Sequence, residues 1–120
     1  MAKDLSISVL LDFYGDMLTE KQKDVVELYY NEDLSLAEIA ENYGISRQGV
    51  RDVIVRAVAT MQEVEDKTGI IKRFEAQRPH LDAIESAAAE MKTINYRRYD
   101  DPRLTELTDL IYAEVSALKD

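Results

Sequence analysis

Between residues 46 and 56 the chain sets Ser46, Arg47, Gln48, Arg51 and Arg56 on what reads as the first turns of one helix. The chemistry this set offers is recognition, not bond making. An arginine can bond guanine through two parallel N–H groups, and a glutamine can do the same for adenine. Ser46 can bond a phosphate or cap its own helix, and Arg56, further along, is placed for a backbone phosphate. Asp52 points outward with Arg47, Gln48 and Arg51. Residues 46–60 hold three Arg and one Asp, a local surplus of positive charge.

Such side chains can read a groove only if the segments around them hold a helix at a fixed angle. The stretch "SLAEIAENYGISRQGVRDVI", residues 35–54, has the parts that this needs. Ser35 followed three residues later by Glu38 is a capping box, in which hydroxyl and carboxylate satisfy each other's backbone N–H groups. Leu36, Ile39, Ala40 and Tyr43 face inward from a short helix. Gly44 supplies the left-handed turn that ends it. Ser46 caps the next helix, whose stripe of Val50, Val53, Ile54, Ala57, Met61 and Val64 runs at helical spacing to about Asp66 or Lys67, where Thr68 and Gly69 stop it. Ala40 is the small residue required where two such helices cross, and Ile39, Ile45, Val50 and Val53 anchor the pair.

The other segments also read as helices. A first helix is expected from about Asp4 to Met17, capped by Asp4 or Ser6, with an apolar stripe of Leu5, Val9, Phe13 and Met17 flanked by Leu10 and Tyr14. Gly15 weakens its last turn. Thr19 with Gln22 is another capping box, opening a helix that buries Val25, Val26, Leu28 and Tyr29. After Gly69, "IIKRFEAQR" is amphipathic, and Pro79 either kinks that helix or starts a new one. "HLDAIESAAAEMKTI" continues with Leu81, Ile84, Ala88 and Met91 on one face, and "NYRRYD" is expected to be a loop. Asp101 as cap and Pro102 at the first position then open a last helix with a stripe of Leu104, Leu107, Ile111, Val115 and Leu118. No strand pattern and no internal repeat is visible. The expected fold is all-α: a helix-turn-helix domain over residues 1–67 and a helical extension over 68–120.

Composition narrows the function. The chain has 120 residues, 46% apolar and 32% charged, with a net charge of −9. The acidity is spread along its length: net −2 over residues 1–18, −5 over 19–67 and −2 over 68–120. DNA affinity is dominated by phosphate neutralisation, so such a domain can bind only where its basic groups gather on one face. With no cysteine there is no disulfide framework, thiolate metal site or cysteine nucleophile. The N-terminus lacks the apolar core of a signal peptide, and no stretch approaches the ~20 apolar residues of a membrane span, so a cytoplasmic protein is expected. No phosphate-binding glycine loop, nucleophile elbow or metal-ligand spacing is present, so neither enzyme activity nor a cofactor or metal is expected. His80 stands alone as a surface residue. "NEDLS" lacks the pattern of a calcium loop. The Tyr96-Arg97-Arg98-Tyr99 cluster has the residue types that stack and hold single-stranded RNA, but an ordinary loop packed by two tyrosines explains it better.

The span "LTEKQKDVVELYYNEDLSLAEIAENYGISRQGVRDVIVRA" resembles region 4 of bacterial sigma factors, which also place an "L-T-x-x-Q" helix before a helix-turn-helix. A closer resemblance, carried by "FYGDMLTEKQ", "ELYY" and "SLAEIAENYGISRQGV", is to the YlxM-like family of Gram-positive bacteria. It is strong from Phe13 to Arg56 and weak after Gly69. The family is usually encoded beside genes of the signal recognition particle, and the resemblance therefore implies a regulator or accessory of that protein-targeting pathway. The sequence departs from the family at Gly49, where Ala is usual, and at Pro79, within a tail that the family makes continuous helix.

Two partner classes follow. One is DNA, met by Ser46, Arg47, Gln48, Arg51 and Arg56. The other is a basic component of the signal recognition particle, docked by the acidic surface without DNA, since the particle's proteins are commonly basic. The last helix adds a third contact: Leu104, Leu107, Ile111, Val115 and Leu118 step by three and four, as in a seam between helices, which suits a homodimer as well as the domain's own core.

Overall fold

The computed structural model describes residues 5–120, and the side chain of Leu5 is outside that description; the expected cap at Asp4 lies outside it as well. Among the described residues there are six α-helices and no strand: α1 (Leu5–Tyr14), α2 (Glu20–Tyr30), α3 (Leu36–Tyr43), α4 (Arg47–Thr68), α5 (Ile70–Ile94) and α6 (Pro102–Lys119). A 3₁₀ turn, Gly15–Met17, follows α1, and a π-helical turn, Asn95–Tyr99, follows α5. The chain divides into two compact units, residues 1–71 and 72–120.

The first unit has one hydrophobic core. α1 gives it Ile7, Leu10, Leu11 and Tyr14, with Leu18 beyond the 3₁₀ turn; α2 gives Val25, Val26 and Tyr29; α3 gives Ile39 and Ala40; α4 gives Val50, Ile54, Ala57 and Met61. The stripe expected for α1 is therefore corrected. Phe13 and Met17 are exposed and Val9 is half-buried, while Ile7 and Leu11 are inside. A strict four-residue step drifts ~40° per repeat around a helix, whereas Ile7, Leu10, Leu11 and Tyr14 stand at i, i+3, i+4 and i+7 and stay on one face. Gly15 ends α1 in a 3₁₀ turn instead of continuing it to Met17. In α2, Val25, Val26 and Tyr29 are inside and Leu28 is half-buried.

Helix ends follow the cap chemistry of the sequence. Thr19 Oγ1 accepts from the Gln22 N–H at 3.2 Å while Gln22 Oε1 accepts from the Thr19 N–H at 3.1 Å. Gly69, at φ +63°, closes α4, its N–H bonding the Glu65 carbonyl at 2.8 Å. The Glu65 carboxylate joins three segments: it accepts from the Tyr14 hydroxyl at 2.6 Å and from the Ile71 N–H at 2.9 Å. It thereby caps the start of α5, where backbone N–H groups have no intrahelical acceptor.

The second unit is a helical hairpin of α5 and α6. Pro79 neither ends nor restarts the helix: α5 runs through it. Glu75 to His80 are all exposed, so the carbonyl that Pro79 cannot serve is open to water. The expected loop at 95–100 is also corrected. Asn95 is 3% exposed and organises the reversal: its Nδ2 donates to the Asp101 carbonyl (2.9 Å) and to Thr105 Oγ1 (3.1 Å), and its Oδ1 accepts from the Asp101 N–H (2.9 Å). Asp101 then caps α6, its carboxylate accepting from the Arg103 N–H at 2.8 Å with Pro102 in the first turn. Ala88, Thr108 and Val115 fill the seam between the helices. Ion pairs of Lys92 with Asp109 and of Lys119 with Asp82 and Glu85 cross it.

Candidate nucleic-acid interface

The helix-turn-helix is α3, its turn and α4. Ser35 Oγ accepts from the Glu38 N–H at 3.1 Å and Glu38 Oε1 accepts from the Ser35 N–H at 3.2 Å, so the box that opens α3 is closed on both sides. At the other end Gly44 takes φ +64°, and the Ile45 N–H reaches back to the Ala40 carbonyl at 3.1 Å. That six-to-one bond is a Schellman closure, and it fixes the direction in which the chain enters α4. Nothing lies within 4 Å of where a Gly44 Cβ would be, so the backbone dihedral alone calls for glycine. From α2, the Tyr43 hydroxyl is held by the Asp24 carboxylate, and Lys21 Nζ lies 5.8 Å from the ring centre of Tyr43. The hydrogen bond to Asp24 pushes the Tyr43 hydroxyl up to a pKa of about 12.

Ser46 begins α4 as its cap: Oγ accepts from the Gly49 N–H at 2.9 Å. A Cβ at Gly49 would stand 3.2 Å from that same Oγ, so glycine here leaves the cap undisturbed. Beyond the cap, Val50, Ile54, Ala57 and Met61 have no exposed surface and lock one side of α4 into the core. The other side is left outward. Arg47, Gln48, Arg51, Asp52 and Arg56 are all exposed. Arg47 and Arg51, four residues apart, lie on one flank, and Arg56 falls on the other, with Gln48 and Asp52 between them. Gln48 is not idle: its Nε2 donates to Asp52 Oδ1 at 2.9 Å. Val55, half exposed, extends the same outward face one turn beyond Asp52. Sequence reading passed over it, although an exposed β-branched residue seven positions after Gln48 was a usable signal.

The charge around this face is selective. Described residues 5–71 contain six Lys and Arg against thirteen Asp and Glu. Lys23 pairs with Asp16 and Lys67 with Glu63, both at N–O distances under 3 Å. Arg47, Arg51 and Arg56 have no ion pair among the described residues. Two of the thirteen carboxylates thus pair with Lys23 and Lys67, and the three arginines of α4 are left available.

The remaining singled-out residues are dispersed. Tyr96 and Tyr99 do not pack a loop: both are exposed, and they face different sides of the hairpin, Tyr96 with Arg97 beside Lys92 and Tyr112, Tyr99 beside Met91 and Leu104. Of the last stripe, Val115 is buried, Ile111 half-buried, and Leu104, Leu107 and Leu118 exposed. No group of three or more His, Asp or Glu among the described residues is placed to hold a metal ion, and no helix there is long and apolar enough to cross a membrane.

Comparison with known proteins agrees with this geometry. Residues 1–100 match the family UPF0122, described as "Putative helix-turn-helix protein, YlxM / p13 like". A UPF0122 protein of Thermoanaerobacter sp. strain X514 is 37% identical over 114 residues, 95% of this chain and 94% of its own. One from Shouchella clausii is 41% identical over 92 residues, covering 77% and 84%. One from Desulforamulus reducens is 47% identical over 75 residues, covering 62% and 64%. With an all-helical fold, a closed helix-turn-helix and a match over most of its length, the chain belongs to the UPF0122, YlxM/p13-like helix-turn-helix family.

Proposed function

We propose that this protein is a non-catalytic regulatory or accessory factor that binds duplex DNA through the N-terminal half of α4. The single observation that carries this is the set of three arginines, without an ion pair among the described residues, on the exposed face of the second helix of a helix-turn-helix, in a unit where acid outnumbers base two to one. Arg47 and Arg51 read base edges, Arg56 holds a phosphate, Gln48 reads once released from Asp52, and Ser46 serves as cap. A part in the signal recognition particle pathway belongs to this reading and is supported by the YlxM-like resemblance alone. Selection of duplexes from a random pool tests the reading. The full chain should enrich a defined sequence, and the Arg47→Ala/Arg51→Ala double variant should enrich none; equal enrichment by both would reject it.

A second reading, an adaptor docked on a basic component of the signal recognition particle, is supported by the thirteen carboxylates of residues 5–71. The structure sharpens its test. Glu38 closes the α3 capping box and Glu63 pairs with Lys67, so neutralising either also perturbs a helix. Glu41 is exposed, and Glu41→Gln is the cleaner probe. Under this reading it weakens capture of the basic component while Arg47→Ala leaves capture unchanged.

A further inference from the structure

The α5–α6 hairpin has two unlike faces. One is polar and carries the Lys92–Asp109 ion pair with Thr93, Tyr96, Arg97 and Tyr112. The other exposes Ile84, Met91 and Ile94 from α5 and Leu104, Leu107 and Leu118 from α6, each between 36% and 61% accessible. At its closed end this face sinks into an apolar recess of about 160 Å³, bounded by Met91, Ile94, Tyr99 and Leu104 over Asn95 and Thr108. Within the seam the only fully buried apolar side chains among the described residues of the unit are Ala88 and Val115. Two helices holding so little between them, with their larger side chains outside, form half of a bundle.

We infer that this face packs against the same face of a second copy of the chain, antiparallel, completing a four-helix bundle about a two-fold axis at Ile111. Two features favour a second copy over another occupant. The first is the spacing along the outward side of α6: Leu104, Ile111 and Leu118 are each seven residues apart, which reads the same in both directions. A two-fold interface is self-complementary, so its contact pattern must survive reversal. Reversal about Ile111 sets Leu118, the most exposed of the six, opposite Leu104 of the other copy, at the mouth of the recess, and does so twice. The second feature is area. The six side chains and Tyr99 expose roughly 700 Å², more than the ~300–600 Å² of the largest patch on an ordinary monomer and close to the ~800 Å² that each partner gives to a stable interface. Val115 is turned into the seam and takes no part. The inference rests on the second unit alone and stands or falls independently of DNA binding.

The full chain contains no cysteine, so single introduced cysteines report proximity without background. Sedimentation equilibrium should give twice 13.7 kDa for the wild type. Leu118→Glu, at an exposed position, should raise the dissociation constant at least tenfold with unchanged helical circular dichroism. Under mild oxidation Ile111→Cys should cross-link to itself, and a mixture of Leu104→Cys and Leu118→Cys chains should form the mixed dimer. Tyr96→Cys, on the polar face, should not cross-link. A mass of 13.7 kDa at high micromolar concentration overturns the inference. A dimer that cross-links through Tyr96→Cys overturns the choice of face. Self-pairing of Leu104→Cys and of Leu118→Cys without the mixed product overturns the antiparallel register.

Discussion

The Gln48 amide donates to the Asp52 carboxylate at 2.9 Å, one turn along the exposed face of α4. One residue of the proposed reading set is therefore held by the one carboxylate that lies among the arginines. Asp52 acts against DNA twice, by occupying Gln48 and by placing a negative charge near phosphate. Asp52→Ala should strengthen binding by roughly tenfold at low salt, an amount set by one screened charge near the duplex. Titration of a labelled duplex checks this, and the gain should shrink as salt rises.

Arg47 and Arg51 carry the opposite expectation. Each, changed to Ala, should cost about 1–3 kcal/mol at a preferred site. Arg56→Ala should weaken all sequences alike and lower the salt slope by about one. Comparing specific and scrambled duplexes separates the two behaviours.

Gly44 is the hinge on which the angle between α3 and α4 depends. Its φ of +64° with open space around the missing side chain makes Gly44→Ala a pure test of backbone strain. A loss of about 1 kcal/mol in denaturant unfolding is expected. Gly44→Asn should cost less, because Asn tolerates the left-handed region.

Asn95 holds the hairpin reversal with three hydrogen bonds while almost fully buried. Asn95→Ala orphans the Asp101 N–H and should cost about 2–4 kcal/mol in the second unit. Hydrogen exchange should show the loss in α5 and α6 first, before the amides of α4.

Tyr14 and Tyr43 should be late to ionise. Burial, and then the hydrogen bond to Glu65, raises Tyr14; the hydrogen bond to Asp24 raises Tyr43 to about 12. Both are neutral in the folded and unfolded chain below about pH 10, so their contribution is complete there. Between about 10 and 12 the unfolded chain ionises first, binds fewer protons, and stability falls as pH rises. Tyrosinate absorbance against pH should show this, and Asp24→Asn should bring Tyr43 back toward 10.

The first unit was largely legible in the sequence because its helix ends are written in local chemistry. Thr19 with Gln22, Ser35 with Glu38, Gly44, Ser46 and Gly69 each act within four residues, and each cap formed as read. The α1 stripe is ambiguous in the sequence because Leu10 and Tyr14 flank the four-residue step Leu5-Val9-Phe13-Met17 and also belong to the face Ile7-Leu10-Leu11-Tyr14, and only the packing against α2 and α4 decides between them. Pro79 and Asn95 were less accessible for a common reason. Whether a proline breaks a helix depends on what surrounds the freed carbonyl, and whether an asparagine is a loop residue or a buried staple depends on a carbonyl and hydroxyl six and ten residues away. On the candidate site, residue types gave the outward set, but the Gln48–Asp52 bond and the pairing of Lys23 and Lys67 elsewhere needed side-chain positions.

Fluorescence anisotropy of a labelled duplex from the protein's own promoter region tests the central claim most directly. Wild type and the Arg47→Ala/Arg51→Ala double variant would be titrated at two salt concentrations. Saturable binding that falls steeply with salt and vanishes in the variant is the predicted result: the arginines of α4 then prevail over a net charge of −9. Absence of binding by the folded wild type at low salt would contradict the account and leave α4 as a docking face for protein.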